Sequence, residues 1–596
     1  MIDTLDNMMA HERKNHTGRK PPHALVVALP LVLLLTACKS VPLPPWAPTF
    51  PRPAVIVVPQ IPAPAPAAQP PAAVRISPLP LPAIAESVPQ DSVAPYGAAV
   101  AARFPAPAVV YRTPGLQPGR TSFTTQDEIH GWLREQAELL ARSVGTRAAL
   151  LSIGISQQGE ALEALVLTRG AGTDPAALEA TQRPTVLLVA QQQGDEPAGG
   201  EALLVIAREL AQGSLQSLLE RVNVLIVPLA NPDGVARGQR FTADGRDMGR
   251  DHLLLGTPET RALASLIRAY RPTVFVDAHE YAVPGAYLSK FGAQPRFDAL
   301  LQYSATANLP EFLTRADEEW FRRPLLATLK GQGLTSEWYH TTSNDAADKQ
   351  LSMGGTLADT LRNVGGLKNA VSLLVATRGA GIGRMHIQRR VHTHVTAIAS
   401  MLGSTAQRAS ELGQLRPYLD KDVSAQACKG QAVVEAAPTP AQYDLVMLDP
   451  SSGADKIVTV DWDSTLELRT VRSRARPCGY WLSASSGVAV ERLRLHGVQV
   501  RRMTESSALL ADIYQAPPAS TGIQSIVQRG VALMRGVIDA PAGSFYVPLD
   551  QPLGNLIVAA LEPDTPASYF ANQLLESLSG VGRVMAVPSL KTDDLQ

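Results

Sequence analysis

The chain has 596 residues, with 54 Lys and Arg against 54 Asp and Glu, so its formal net charge is zero. A chain of this length exceeds what one hydrophobic core supports, and two or more folded units are expected. The balanced charge argues against nucleic acid as a partner, and the hydrophobic content of 45% is that of a globular protein.

The first 37 residues read as a targeting segment. Basic residues at 13–20 precede an apolar run at 24–35, which is too short to span a membrane. The run ends in Leu35-Thr36-Ala37-Cys38, which resembles the lipoprotein box of bacteria. The resemblance implies a signal peptide over 1–37, lipid on Cys38 and attachment to a membrane. Lys39 follows the cysteine where inner-membrane retention would need Asp, so the outer membrane, with the protein facing the periplasm, is favoured. The alternative is an ordinary signal peptide with an incidental Cys.

Residues 38–120 are rich in Pro and Ala, as in the run at 62–66. Proline lacks an amide hydrogen and resists both helix and central strand. The segment therefore predicts an extended tether, with folded structure beginning at about residue 121.

Strand and helix patterns alternate after the tether. Alternation of this kind predicts an α/β domain over 121–405, with a largely parallel sheet between helices. Such sheets place their sites at the carboxyl ends of strands. The expected strands are 148–153, 161–167, 185–189, 222–227, 273–276 and 371–375, and the expected helices are 129–140, 200–211, 258–270 and one following Arg384.

A second region, 415–596, is expected to be a smaller β-rich domain. Apolar and polar residues alternate there with period two at 456–462, 465–471 and 488–500, which predicts strands. The other two cysteines of the chain, Cys428 and Cys478, lie in this region. They could form a disulfide in an oxidising periplasm, or remain two buried free thiols.

Four segments at predicted strand ends carry the candidate chemistry. The segments are Gln193-Gly194-Asp195-Glu196, then Asn231-Pro232-Asp233-Gly234 with Arg240 and 246–252, then 276–280, and finally 375–379. Taken together and in this order, they resemble the zinc carboxypeptidases of the carboxypeptidase A type. The resemblance implies a carboxypeptidase-like α/β/α sandwich with a mixed sheet, a zinc cofactor, and substrates that end in a free carboxylate.

The resemblance assigns roles to five residues of this sequence. Glu196 and His279 match two of the three zinc ligands, and three protein ligands leave one position open for water. Arg240 matches the arginine that stabilises the oxyanion, and Arg250 the one that grips the substrate carboxylate. Asp247 matches the carboxylate that orients the first ligand histidine.

Three positions depart from the family pattern, and each change removes chemistry. Gln193 stands where the family has its first ligand histidine, and a neutral amide is a poor zinc ligand. Gly249 replaces the asparagine beside the carboxylate-binding arginine. Ala376 replaces the catalytic glutamate and cannot transfer a proton, and a general base contributes about 10²–10⁴-fold in rate.

Two routes could offset these losses. Gln193 could bind zinc weakly through its oxygen while donating its amide hydrogens to Asp247, imitating the orienting geometry of an imidazole. Glu280 could act as a substitute base, but it adjoins His279 on a strand and should face the opposite side of the sheet.

The expected function is therefore recognition of peptide C-termini by an envelope lipoprotein in which hydrolysis is weak or lost. The partner would be a peptide or a cell-wall stem peptide. One alternative is an active zinc-dependent carboxypeptidase with altered chemistry. Another is a non-catalytic scaffolding lipoprotein in which the cleft is vestigial.

Overall fold

The computed structural model describes residues 96–283, 285–518 and 522–595, which belong to one structural unit. The signal peptide, Cys38 and most of the predicted tether lie outside the described residues. Within those residues, no helix combines the length and apolarity needed to cross a bilayer.

Folded structure begins earlier than the sequence predicted. Tyr96, Val100 and Phe104 are buried in an apolar cluster, and the guanidinium of Arg378 lies 4.9 Å and 4.0 Å from the rings of Tyr96 and Phe104. Residues 96–120 are thus part of the folded domain, and a tether reaching to 120 is wrong for this stretch. The prediction rested on the Pro/Ala-rich composition of the whole segment, which gives no weight to a few apolar side chains that pack against the domain.

The first half of the domain alternates strands and helices. Up to residue 282 the elements are α1 (Ala98–Ala101), α2 (Gln126–Ala141), β1 (Arg147–Ile155), β2 (Ala161–Thr168), α3 (Pro175–Ala180), β3 (Thr185–Ala190), α4 (Pro197–Gln212), β4 (Asn223–Val227), α5 (Pro232–Ala236), α6 (Pro258–Tyr270) and β5 (Val274–Ala282). From residue 286 to 425 they are α7 (Ala286–Phe291), β6 (Ala299–Tyr303), α8 (Glu311–Ala316), α9 (Arg323–Gly331), β7 (Ser336–Trp338), β8 (Gln350–Ser352), α10 (Leu361–Leu367), β9 (Val371–Ala380), α11 (Ile387–Gln407) and α12 (Ala409–Ala425).

These strands build a mixed sheet, in agreement with the predicted fold class. In the described residues it has eight strands in the order β1-β2-β4-β3-β5-β9-β6-β7. The central strands β4, β3, β5 and β9 run parallel, whereas β2 is antiparallel to β4 and β6 is antiparallel to β9. Helices α4 and α11 pack on one face and α6 and α10 on the other. The parallel strands are buried along almost their whole length, and β3 and β4 are largely apolar, because both faces are covered.

The C-terminal region is rich in antiparallel strands, as expected. Its elements are β10 (Gln431–Leu448), β11 (Asp455–Ala475), β12 (Gly479–Leu482), α13 (Gly487–His496), β13 (Arg501–Met503), β14 (Ser507–Gln515), α14 (Ile523–Arg529), β15 (Ala532–Ala540), β16 (Phe545–Pro548), α15 (Gly554–Leu561), β17 (Val581–Val584) and β18 (Thr592–Asp594). A second sheet has the order β15-β14-β17-β12-β16-β13-β18, and the structure joins Cys428 to Cys478 in a disulfide.

The two predicted domains are not separated at residues 405–415. Helix α11 ends at Gln407 and α12 begins at Ala409, so the interval is helical, and β8 of the first region pairs in parallel with β11 of the second. The hairpin β10–β11 therefore ties the C-terminal region into the α/β region.

The predicted strand at 488–500 is wrong, because α13 covers most of it. The buried residues of this helix include Ala489, Val490, Leu493 and His496, which follow helical spacing. Gly497, with φ 94°, ends the helix in the left-handed conformation that glycine adopts readily. The period-two alternation of valines and leucines in this segment was therefore misleading.

Candidate active site

The candidate site lies where three parallel strands end at one edge of the central sheet. Strand β5 lies between β3 and β9, with Ala190 paired to Ala278 and His279 paired to Ala376. The loop after β3 carries Gln193 and Glu196 to the end of β5. Parallel pairing therefore brings together residues that are almost 200 positions apart in the chain.

His279 is the centre of the site. Its Nδ1 lies 2.9 Å from Glu196 Oε2 and its Nε2 lies 2.9 Å from Asp277 Oδ1, and all three side chains are buried. Burial opposes a charge on the ring, but Asp277 and Glu196 raise the pKa of His279 well above its ordinary value. The two carboxyl groups therefore favour the protonated form of the ring.

Glu196 ends the loop and precedes α4, yet its side chain does not cap that helix. It bonds to His279 instead, and burial raises the pKa of the Glu196 carboxyl to about 7 although His279 opposes the rise. Two features hold the loop in place. Asn231 donates from Nδ2 to the carbonyl of Gln192 at 3.1 Å, and a Cβ on Gly194 would lie 2.2 Å from the backbone of Gly234.

Gln193 is engaged with the carboxylate that was predicted to orient it. Its Nε2 donates to Asp247 Oδ1 at 3.1 Å, which is one half of the arrangement proposed from the sequence. Arg240 donates to Asp247 Oδ2 from Nε at 3.0 Å and from Nη2 at 2.7 Å. Burial alone would raise the pKa of Asp247, but Arg240 and Gln193 lower it, so this carboxylate is charged.

Gly249 lies between these groups. A Cβ built on it would be 3.2 Å from Gln193 Nε2, 3.3 Å from Asp247 Oδ1 and 3.8 Å from His279 Cε1. Gln193 and His279 thus both lie within 4 Å of the space that a side chain at position 249 would enter. The absence of a side chain at 249 leaves room for the amide of Gln193.

Ala376 is fully buried beside His279 on β9. It belongs to an apolar cluster that includes Tyr281, Leu300 and Leu374. The position predicted for a lost general base is therefore part of the hydrophobic core, and no proton acceptor is contributed from it.

The described residues do not complete a zinc site. Nowhere in 96–283, 285–518 and 522–595 do three His, Cys, Asp or Glu side chains form a group that could hold a metal ion. Glu196 and His279 would be two ligands, but a catalytic zinc takes three from the protein. The third position is the neutral amide of Gln193, and both ring nitrogens of His279 already contact carboxylates.

Two arginines, Arg250 and Arg362, approach Gly355 near the site. Arg250 pairs weakly with Asp359, at 3.4 Å, and its side chain is 42% exposed. The buried Arg362 donates to the carbonyl of Gly355 at 2.9 Å. Gly355 also lets Arg250 approach, since a Cβ there would lie 2.9 Å from Arg250 Nη1. This arrangement gathers cationic groups that suit a carboxylate ligand.

Glu280 takes no part in the site. It points to the other face of the sheet, where Arg390 donates to its two oxygens at 2.7 Å and 2.8 Å and the amide of Ala198 donates at 3.0 Å. This matches the expectation that adjacent residues on a strand face opposite sides.

Several site residues were missed from the sequence. Asp277 accepts a hydrogen bond from Gln192 Nε2, and Gln192 in turn bonds to His252 through its oxygen. Asp277 lies two positions before His279, so the period of a strand could have placed both on one face. Arg362 carried no comparable signal, because its role depends on the fold of distant segments.

A comparison with protein families adds to this geometry. Residues 133–254 match the family model described as zinc carboxypeptidase. That stretch contains Gln193, Glu196, Arg240, Asp247 and Arg250. It supports a zinc carboxypeptidase family domain in this part of the chain, and zinc is the cofactor expected for that family.

Individual proteins similar to this chain are named as carboxypeptidases. Carboxypeptidase 2 of Trichophyton rubrum is 26% identical over 482 residues, which are 78% of this chain and 86% of that protein. Carboxypeptidase D of Mus musculus is 31% identical over 221 residues, 30% of this chain and 16% of that one. A metallo-carboxypeptidase structure from Burkholderia cenocepacia aligns with 48% of this chain and 70% of its own, at 16% identity and a TM-score of 0.36.

Proposed function

We propose that this chain is an envelope lipoprotein whose carboxypeptidase-like domain binds the C-terminal carboxylate of a peptide, with hydrolysis weak or lost. The bound peptide would be free or part of a cell-wall stem. Lipid on Cys38 would attach the protein to the outer membrane, facing the periplasm. The anchor and location rest on the sequence of the first 39 residues alone.

One observation carries the binding proposal: Arg250, which matches the carboxylate-binding arginine, is retained and accessible, whereas Gln193 and Ala376 replace hydrolytic groups. The side chains of Arg240 and Arg250 are 41% and 42% exposed, so a ligand can contact both. Arg250 is held only by a 3.4 Å pair with Asp359. A ligand carboxylate can therefore compete for its planar fork.

The expected loss of hydrolysis follows from two altered positions, 193 and 376. The Gln193 amide is committed to Asp247, and Ala376 is packed among apolar side chains. Neither supplies a charged metal ligand or a base that could take a proton from water. What remains is a cleft that can hold a peptide end.

Binding of matched peptides tests the proposal. The Kd of a labelled peptide with a free C-terminus is compared with that of its C-terminal amide, by fluorescence anisotropy. We expect amidation to weaken binding at least about tenfold, because a hydrogen bond to a charged group contributes about 1.5–3 kcal/mol. Arg250→Gln should weaken binding of the free peptide by a similar factor and should abolish the effect of amidation on the Kd.

Arg246→Gln is the matched control, since Arg246 lies on the same loop and pairs with Asp244 at 3.3 Å. Its affinity for the free peptide should equal that of the wild type. Equal affinity of the wild type for free and amidated peptides would contradict the proposal and favour a scaffold with a vestigial cleft. Release of a C-terminal amino acid that a chelator abolishes would instead favour the active enzyme.

A further inference from the structure

A second candidate site lies at the opposite edge of the central sheet. A cavity of about 340 Å³ opens where β5 and β9 begin, whereas the candidate active site lies where they end. Its walls come from the ends of α6 and α10, from α12, from the turn after α13 and from the loop before α15. The lining residues are Ile267, Arg268, Arg271, Pro272, Phe275, Lys368, Arg416, His496, Gly497, Gln499, Gln551, Pro552 and Leu553.

Four cations line this space, which we call the basic cavity: Arg268, Arg271, Lys368 and Arg416. In the described residues, the carboxylate paired with them is Asp420, which lies 3.3 Å from Arg416 Nε and 3.6 Å from Arg271 Nη2. The cavity thus has a clear excess of positive charge. Cations held together in a concave, partly dry space attract anions from solution.

Lys368 is the least compensated of these groups. It is buried, and its Nζ donates to the backbone carbonyl of His496 rather than to a carboxylate. Burial, with smaller contributions from Arg416 and Arg268, lowers the pKa of Lys368 to about 7. Burying an unpaired ammonium is costly, and an anion in the cavity would offset that cost.

His496 adds a buried polar atom without a protein partner. Its Nε2 lies 2.9 Å from the carbonyl of Leu253, so Nε2 carries the hydrogen, and burial keeps the ring neutral by lowering its pKa to about 3. Its Nδ1 is therefore an acceptor, and among the described residues it has no hydrogen-bond partner.

The remaining lining sets the size and character of a ligand. Ile267, Phe275 and Leu553 add apolar side chains to the lining. The volume is at the lower end of the range for small-molecule sites, about 300–1,000 Å³. The cavity therefore suits a small molecule and excludes a protein segment of any length.

We propose that the basic cavity binds a small oxyanion carrying two or more negative charges, either a phosphate or a polycarboxylate. Guanidinium forks bind both groups bidentately. The site is independent of the peptide-binding cleft, because it is formed by different residues at the other edge of the sheet.

Calorimetric titration of the full chain tests the proposal. Inorganic pyrophosphate and citrate serve as probes, and sodium chloride holds the ionic strength constant, because salt screens exposed charges. We expect at least one probe to bind and to raise the Tm, as any ligand of the native state does. Tighter binding of pyrophosphate would identify a phosphate site, and tighter binding of citrate a polycarboxylate site.

The variant Arg268→Gln/Arg271→Gln removes the two exposed arginines of the lining. It should weaken the affinity for the probe that binds the wild type at least tenfold. The control Arg142→Gln/Arg208→Gln removes equal charge from exposed positions on α2 and α4, away from the cavity. It should bind like the wild type. Failure of both probes to bind the wild type would overturn the proposal, and so would equal binding by the two double variants.

Discussion

The two edges of the central sheet differ in how their charged side chains are paired. One edge lies where the parallel strands end and the other where they begin. At the edge where β3, β5 and β9 end, His279 lies between Glu196 and Asp277, and Arg240 is bound to Asp247. At the other edge, the described residues place one carboxylate, Asp420, against two of the four cations, Arg271 and Arg416. Buried charges that are paired can persist in a fold, whereas unpaired ones need an external partner.

The two edges therefore differ in whether their charged side chains have partners within the protein. At the carboxyl-end site His279 is paired with Glu196 and Asp277, and Arg240 with Asp247. In the basic cavity, by contrast, Lys368 is buried and its ammonium contacts no carboxylate among the described residues. The comparison therefore predicts that removing a charge is harmful at the first edge, whereas removing a positive charge is favourable at the second.

The largest expected effect comes from restoring chemistry at the first edge. The triple variant Gln193→His, Gly249→Asn and Ala376→Glu should bind zinc tightly and release the C-terminal residue of a peptide. The general base alone should contribute about 10²–10⁴-fold in rate. Zinc content and amino-acid release, with and without a chelator, are the measurements.

The same three changes with Ala376→Gln in place of Ala376→Glu form the control, since the amide has similar size and cannot act as a base. Position 376 is fully buried and apolar, so both variants should lose stability to a similar extent. A folded triple variant that takes up zinc and releases no more product than the control would show that other residues silence the site.

A smaller effect is expected at the second edge, from Lys368→Met. The pKa of Lys368 is lowered from 10.5 to about 7 in the folded state, so the unfolded chain holds its proton more strongly. The stability of the wild type should therefore rise with pH from about 7 towards 10, and its buried charge should cost on the order of 5 kcal/mol below pH 7. Lys368→Met should be more stable than the wild type at pH 6 and should lose that part of the pH dependence.

Urea unfolding at pH 6 and pH 9 measures this difference. Lys330→Met, at an exposed position near the end of α9, is the control and should change stability little at either pH. A Lys368→Met variant that is less stable than the wild type at pH 6 would contradict the comparison, because it would show that the ammonium is well satisfied in the fold.

The sequence predicted the first edge much better than the second. Strand β3 was expected at 185–189 and observed at Thr185–Ala190, because its apolar run is continuous and ends in polar residues. Spacing within short segments then located Gln193, Glu196 and His279 at the strand ends. The basic cavity offered no such signal, since its cations come from three helices and their C-terminal ends, and the proximity of these helices depends on the packing of the whole chain.

The finest test of the comparison is the single carboxylate of the basic cavity. Asp420→Asn removes the charge that Arg271 and Arg416 share and keeps an acceptor for Asn369, whose Nδ2 donates to it at 2.8 Å. We expect the free protein to lose about 1 kcal/mol of stability, in the usual range for one lost polar interaction.

Anion binding should change in the opposite direction. With Asp420 neutral, pyrophosphate or citrate meets less repulsion, and calorimetry should show affinity about three- to tenfold tighter than that of the wild type. Asp422→Asn, two residues further along α12, should leave affinity unchanged. Weaker binding by Asp420→Asn would mean that Asp420 positions the arginines for the ligand, and that the excess of positive charge alone does not explain the affinity of this edge.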